Sequence, residues 1–246
     1  MKVTLTCPQC MADDIANARP IASAEYTDSN RYETVCALGH RGVVALQQQK
    51  FEVLFEIGAY AINDGYYREA VSSFTSSLER FYEFFIRASF RQNGIDAAVF
   101  AEAWKNLSNH SERQLGAYVM TYTSALGRSP ALLPQKRVEF RNAVVHKGRI
   151  PTRAEALDYG GAVLDLLRSA ILDAQGAFPE GVQRTIADHI ISAATSGPGN
   201  LPVATTSIAT IVSLSMGEPA HHQRTLESAL NGLRVHQALM AGLPGG

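Results

Sequence analysis

The spacing of apolar residues divides the chain into a strand-rich beginning and a helical remainder. Up to about residue 46, short segments rich in β-branched and apolar residues are separated by residues typical of turns. These segments predict strands at Val3–Thr6, Ile21–Tyr26 and Arg31–Val35, with Asp28–Asn30 as the turn between the last two. We therefore expect residues 1–46 to form a small β unit.

From about residue 47, apolar residues recur every three or four positions, which is the period of an amphipathic helix. The first predicted helix ends at Asn63, Asp64 and Gly65, and the second covers about Tyr67–Arg91. One face of the second helix is rich in Phe and Tyr, and we interpret it as core or as a helix–helix interface. Further helices are predicted at residues 96–109, 112–126, 135–147 and 152–174.

Local signals predict the ends of two of these helices. Pro134 is expected at the first position of a helix that Gly148 ends, because proline fits the start of a helix and glycine its end. Thr152 and Glu155 have the spacing of a capping box, which opens the next helix. Residues 47–175 are thus predicted to form a helical domain.

The remaining residues, 176–246, carry few charges and form a C-terminal extension of uncertain structure. They contain three Lys or Arg, four acidic residues and a Ser-Gly-Pro-Gly-Asn linker at 196–200. Helices are expected near 180–194 and 219–240, and the segment 203–215 between them fits either a strand or a helix. The expected fold class is mainly α, with a small β unit first and this extension last.

Composition limits the classes of function. The chain of 246 residues is 46% hydrophobic and 18% charged, as in a packed globular protein. Its 22 Lys and Arg nearly balance 23 Asp and Glu, which excludes a basic coat over the whole surface, so a nucleic-acid surface would have to be local. No apolar run has the length of a membrane span and no signal-peptide pattern is present. We expect a cytoplasmic protein with no membrane partner.

The three cysteines lie close to one end of the chain and suggest a metal site. Cys7 and Cys10 form a C-x-x-C knuckle, and Cys36 with His40 forms a C-x-x-x-H knuckle 25 residues later. Three thiolates and an imidazole suit structural Zn²⁺ in a tetrahedral site with no open position. The arrangement resembles a zinc ribbon. The alternative is three free cysteines with a chance histidine.

The segment Phe140–Gly148 is the strongest candidate for chemistry. Asn142 and His146 are four residues apart and share a helix face, whereas Arg141 lies about 140° from His146 around the helix. Seven positive residues and one acid lie between residues 128 and 153. An imidazole beside a guanidinium suits phosphate chemistry, in which Arg holds the oxygens and His moves a proton. The alternative is a solvated basic helix with a structural histidine.

The sequence R-N-x-x-x-H, followed by H-K-G-x-I-P-T-x-x-E-A-x-x-Y, resembles the HEPN superfamily of helical-bundle proteins over about residues 47–175. The resemblance implies a homodimeric, metal-independent endoribonuclease that leaves a 2′,3′-cyclic phosphate. His146 would act as general acid or base, Arg141 would stabilise charge, Asn142 would orient His146 or the phosphate, and a second His146 from the partner subunit would move the other proton. The flanking residues expected to contact phosphate are Arg137, Lys147 and Arg149.

By the same resemblance, the protein is expected to be a toxin or an anti-phage effector, held in check by an inhibitory partner protein. The alternative is a HEPN-like protein without catalytic activity that binds RNA, a nucleotide or a partner. The pairs His221-His222 and Asp188-His189 lack metal-ligand spacing, and we interpret them as surface or helix-cap residues. The sequence contains no Walker A, G-x-G-x-x-G or G-x-S-x-G motif.

Overall fold

The computed structural model describes residues 2–13, 20–197, 199, 201–214 and 224–241. The chain falls into two units, of which the first contains residues 1–49 and 186–209 and the second contains residues 50–185 and 210–244. The sequence-based division placed its boundaries after residues 46 and 175. The expected C-terminal extension is divided between the two units.

Antiparallel strand pairs form most of the sheet structure of the first unit. Strand β1 (Lys2–Thr6) pairs with β2 (Pro20–Glu25), and β3 (Arg31–Val35) pairs with β4 (Arg41–Leu46). The strands predicted from the sequence are thereby confirmed. Asn30 lies in the predicted turn with a positive φ of 50°, a conformation that asparagine adopts more readily than most residues.

The central strand β4 is absent from the sequence-based prediction. Residues 43–46 are almost completely buried, so this strand lacks the alternation of apolar and polar residues that marks a half-exposed strand. Its second edge pairs in parallel with β5 (Val203–Thr206), with Val43 opposite Val203. The segment 203–215, which fitted either a strand or a helix, therefore begins with a strand.

The second unit consists of helices around the long helix α3. After α1 (Pro8–Asp13) of the first unit, the helices in chain order are α2 (Lys50–Asn63), α3 (Tyr67–Gln92), α4 (Ala97–Trp104), α5 (Ser111–Leu126), α6 (Gln135–Lys147), α7 (Arg153–Ala177), α8 (Pro179–Thr195) and α9 (Leu226–Ala241). Residues 186–195 of α8 belong to the first unit. Helices α2, α4, α5, α6 and α7 pack against α3, and α9 packs against α2 and α7. Among the described residues, none of these helices has the length and hydropathy of a membrane span.

Most predicted helix ends are confirmed. Thr152 forms the predicted capping box with Glu155, and Gly148 ends α6 with a φ of 72°. Two ends differ from the prediction. Pro134 is the N-cap of α6 and not its first residue, since its ψ of 147° is extended, and α4 ends at Trp104 and not near residue 109. Of the helix expected at 219–240, residues 219–223 lie outside the described residues.

The aromatic face of α3 forms the core of the second unit, which is the first of the two interpretations that the sequence allows. Phe74, Phe81 and Phe85 are fully buried. A Cβ atom at Gly58 of α2 or at Gly160 of α7 would lie 2.7 Å or 2.5 Å from the Phe74 ring. Only glycine allows both helices to approach Phe74 this closely, so one aromatic ring sets the separation of three helices.

Two buried carboxylates on α2 hold the segment that precedes α9. Glu52 accepts a hydrogen bond from the Leu214 N–H at 2.8 Å, and Glu56 accepts one from the Ile211 N–H at 3.0 Å. Both glutamates are at most 3% exposed. Burial raises the pKa of Glu56 from 4.5 to about 7, and the hydrogen bond from Ile211 opposes this increase only partly.

We expect the free energy of unfolding to decrease as the pH rises from about 4.5 to about 7, because in this range folded Glu56 holds a proton that the unfolded chain releases. The decrease from this group is on the order of 3 kcal/mol. Glu56→Gln keeps an oxygen for the Ile211 N–H and should remove this decrease in urea titrations between pH 5 and 8. The control Glu69→Gln, at an exposed position, should keep it. The same pH dependence in both variants would contradict the assignment to Glu56.

Candidate metal centre and candidate phosphate site

The four predicted metal ligands come together in the first unit. Cys7 follows β1, Cys10 lies in α1, Cys36 follows β3 and His40 precedes β4. Their ligand atoms all lie within 4.8 Å of one another, an arrangement that could hold a metal ion. Two knuckles that are distant in sequence are therefore joined at one point, as the sequence predicts.

Local backbone geometry shapes each knuckle. The Cys10 N–H points to Cys7 Sγ at 3.5 Å. In the second knuckle the Gly39 N–H donates to the Cys36 carbonyl oxygen at 2.9 Å and the Cys36 N–H donates to the His40 carbonyl oxygen at 3.0 Å. Gly39 has a φ of 79°, a left-handed conformation that favours glycine. The chain thereby reverses between the last two ligands.

The distances between ligand atoms suit a small tetrahedral cation. Cys10 Sγ lies 3.9 Å from Cys36 Sγ and 3.4 Å from His40 Nδ1, and Cys7 Sγ lies 3.9 Å from the same nitrogen. A tetrahedron with metal–sulfur bonds of ~2.3 Å has edges of about 3.8 Å. Burial, and then the neighbouring Cys7 and Cys36, raise the pKa of Cys10 to about 12. Ionised thiolates at these distances would repel one another, and a divalent cation bound between them would offset that repulsion.

Most of the predicted basic segment is neutralised by carboxylates from other helices. Four arginines between residues 128 and 153 form ion pairs with acids that lie later in the chain, three of them on α7 and one on α9. The pairs are Arg128 with Asp173, Arg137 with Asp158, Arg149 with Glu155, and Arg153 with Glu227. The local excess of positive charge predicted from the sequence is therefore largely compensated.

Two of the three residues predicted to contact phosphate are among these paired arginines. Arg137 donates to both carboxylate oxygens of Asp158, at 2.9 and 3.2 Å. Arg149 pairs with Glu155 and also lies over the Phe140 ring at 5.1 Å. These residues border a groove of about 810 Å³ between α6 and the start of α7. The third predicted residue, Lys147, is exposed at the end of α6 and has no ion pair among the described residues.

The three motif residues differ from these arginines because their side chains form no hydrogen bond or ion pair with another described residue. Within the described part of the chain, no hydrogen bond or ion pair engages Arg141, Asn142 or His146. Arg141 and Asn142 are half-buried and His146 is exposed, while Val144 anchors this stretch of α6 in the core. The motif therefore presents a guanidinium, an amide and an imidazole that are free to bind a ligand.

Burial raises the pKa of Glu79 of α3, and the positive charges of Arg141 and His146 oppose this increase. The charge of Arg141 also acts on Tyr82 and Tyr159, which are both buried. Arg141 and His146 thus both act electrostatically on one carboxylate. Glu79 is not among the residues predicted from the sequence, because no spacing relates α3 to the motif that begins 62 residues later at Arg141.

The other histidines singled out in the sequence add no second metal site among the described residues. A ring nitrogen of His189 lies 3.1 Å from the Leu46 carbonyl oxygen, which gives this histidine a structural contact within the first unit. His221 and His222 lie outside the described residues. The cluster of Cys7, Cys10, Cys36 and His40 is the group of potential metal ligands that the described residues contain.

Purified protein should contain about one divalent metal ion per chain, because four ligands complete a closed tetrahedral site. Cys36→Ser should release the metal and unfold the β1–β4 region. The control His110→Ala changes an exposed histidine of the second unit and should retain the metal. Elemental analysis by mass spectrometry measures the content, and a folded, metal-free wild-type preparation would contradict the site.

Comparison with known proteins adds no family to these observations: no family model, no curated protein and no solved structure matches this chain.

Proposed function

We propose that this chain is a metal-independent endoribonuclease of the HEPN type. The observation that carries the proposal is the contrast between Arg141 and its neighbours. Arg128, Arg137, Arg149 and Arg153 each have a carboxylate partner, whereas Arg141 has none among the described residues. An unpaired, half-buried arginine on the same helix as an exposed histidine is suited to bind a phosphodiester and act on it.

Arg141 holds a nonbridging oxygen of the scissile phosphate and stabilises the negative charge that develops there. Its surroundings favour this role, because Arg141 is half-buried and its charge acts on the buried Tyr82 and Tyr159. Electrostatic interactions are stronger where water is excluded. The neighbouring arginines are less suited, since each would first have to give up its carboxylate.

His146 transfers a proton while the RNA 2′-OH attacks the adjacent phosphorus. The P–O5′ bond breaks, and the products are a 2′,3′-cyclic phosphate and a 5′-OH. His146 lies in the last turn of α6 and is exposed, so that it can reach a bound strand. Asn142 lies one helical turn earlier on the same face and orients the imidazole or the phosphate.

The metal centre has a structural role in this proposal. Three cysteines and one histidine suit Zn²⁺, and a site closed by four protein ligands leaves no position for substrate. Zinc would stabilise the fold of the first unit, which has a small core of its own. RNA cleavage should therefore persist in the presence of EDTA over times in which the first unit stays folded.

The proposal includes a cytoplasmic homodimer and an inhibitory partner protein, as in toxins and anti-phage effectors. A dimer interface on the aromatic face of α3 is disfavoured, because this face is buried within the chain. Helix α6 is the better candidate. Exposed apolar residues lie on both sides of it, with Leu132 before its start and Ile150, which is 83% exposed, after its end.

A noncatalytic binding protein is the alternative. The ion pairs of Arg128, Arg137, Arg149 and Arg153 favour this alternative, because an arginine held by a carboxylate is less able to contact phosphate. Such a protein would bind RNA or a nucleotide through Arg141 and Lys147 and leave it intact.

His146→Ala should reduce cleavage of labelled RNA by at least about 100-fold with little change in binding, because the imidazole moves a proton. Arg141→Ala should weaken both binding and cleavage, and Lys147→Ala should change the salt dependence of binding by about one unit of slope or less. The control Arg184→Ala removes an exposed arginine of α8 and should retain both properties. RNA that is bound but stays intact with wild type would favour the binding protein.

Light scattering at tens of micromolar should show a dimer, and Ile150→Asp should shift it toward monomer because a charge would be buried in the interface. Thr152→Ser serves as a control for folding next to this loop, since serine also caps helices. A wild-type monomer at this concentration would contradict the dimer.

A further inference from the structure

Glu79 is a half-buried carboxylate that the proposed mechanism has not used. It lies in the middle of α3, one helical turn after Thr75. No hydrogen bond or ion pair engages its side chain within the described part of the chain. By contrast, Glu83, the next acid on the same helix, is held by Arg80 at 2.6 Å and by Arg87 at 2.9 Å.

Contacts between three helices direct the face of α3 that carries Glu79 toward the motif helix. Helix α6 packs against α3. The Thr75 hydroxyl lies 2.8 Å from the Tyr159 hydroxyl of α7, and the Tyr159 ring lies 5.8 Å from the ring of Phe140, which precedes Arg141. Thr75 and Glu79 share one face of α3, so this face is directed toward α6 and the start of α7.

The charges around Glu79 keep it available for proton transfer. Burial raises its pKa, and Glu112 of α5 adds to the increase, while Arg141, Arg80 and His146 lower it. Neither Arg141 nor His146 forms an ion pair with it among the described residues. A carboxylate that is partly desolvated and not tied to a partner can accept a proton from a substrate near neutral pH.

The proposed cleavage needs two groups that transfer protons. One accepts the proton of the 2′-OH and the other protonates the departing O5′. A single imidazole cannot do both in the same step, and the resemblance to HEPN proteins takes the second group from the partner subunit. Glu79 offers a second group within the chain that already holds Arg141 and His146.

We propose that Glu79 is the general base of this reaction and that His146 of the same chain is its general acid. This inference rests on the proposed ribonuclease function. The Glu79 carboxylate takes the 2′-OH proton as O2′ attacks phosphorus, and His146 gives its proton to O5′ as the P–O5′ bond breaks. Arg141 holds a nonbridging oxygen throughout. Exchange with water then removes the proton from Glu79 and returns one to His146.

The assignment predicts that kcat rises with pH as Glu79 loses its proton, because only the carboxylate can accept the 2′-OH proton. This increase is the rising limb of the pH profile. Several groups set the position of the rising limb. They are Arg80 and Tyr82 on α3, Glu112 on α5, Arg141 and His146 on α6, and Tyr159 on α7.

The test compares the pH profiles of wild type and variants on a labelled RNA with one cleavage site. Glu79→Gln should lower kcat by at least about 100-fold, leave KM within about threefold and abolish the rising limb, because an amide cannot accept the proton. Glu79→Asp should recover part of the activity and the limb. The matched control Glu112→Gln should keep kcat within about threefold and shift the limb to lower pH, because its negative charge raises the pKa of Glu79.

Mixing Glu79→Gln with His146→Ala shows whether the two groups act within one chain. Each chain of a mixed dimer lacks one of them, so the mixture should stay inactive. Restored activity would overturn the same-chain arrangement.

Wild type that cleaves RNA, together with a fully active Glu79→Gln, would overturn the role of Glu79 alone. Wild type that never cleaves RNA would overturn the proposed function and this role with it. Circular dichroism melts confirm that each variant is folded.

Discussion

The close packing of Phe74 against two glycines is the contact on which the arrangement of the helical unit depends. Its ring lies where a side chain at Gly58 of α2 or Gly160 of α7 would have to be. Helices α2, α3 and α7 are thereby fixed at short separation, and the other buried aromatic rings of α3 extend the core toward α5. Interiors packed at this density respond to the loss or gain of a single methyl group, so the position of α7 is well defined.

The position of α7 in turn decides the electrostatics of the motif helix. Asp158 and Tyr159 directly precede Gly160 in the chain. Asp158 pairs with Arg137, whereas Tyr159 lies beside Arg141 and provides no carboxylate. One packing contact therefore neutralises the arginine at the start of α6 and leaves the arginine one turn later available. The basic segment expected from the sequence is therefore neutralised at most of its arginines by carboxylates, and Arg141 is left without an ion pair among the described residues.

The two candidate sites obey different physical requirements. The cluster of Cys7, Cys10, Cys36 and His40 needs only two short knuckles, one next to β1 of the two-stranded sheet and one between β3 and β4 of the three-stranded sheet, and a bound cation would stabilise their meeting. The site around Arg141, His146 and Glu79 depends on helix packing, because the charges that act on Glu79 come from α3, α5 and α6. The metal cluster is therefore set mainly by local residue spacing, whereas the site around Arg141 is set by helix packing.

The sequence by itself determined the features that depend on neighbouring residues. The periods of α2, α3 and α7, the capping box at Thr152, the end of α6 at Gly148 and the two metal-binding knuckles follow from spacing, because residues three or four apart on a helix and residues within a tight turn must meet. Tertiary structure decided the pairing of β4 with β5, the partners of Arg137 and Arg149, and the place of Glu79 beside Arg141. These contacts join residues that are distant in the chain, and only the packing of helices and strands determines which distant side chains meet.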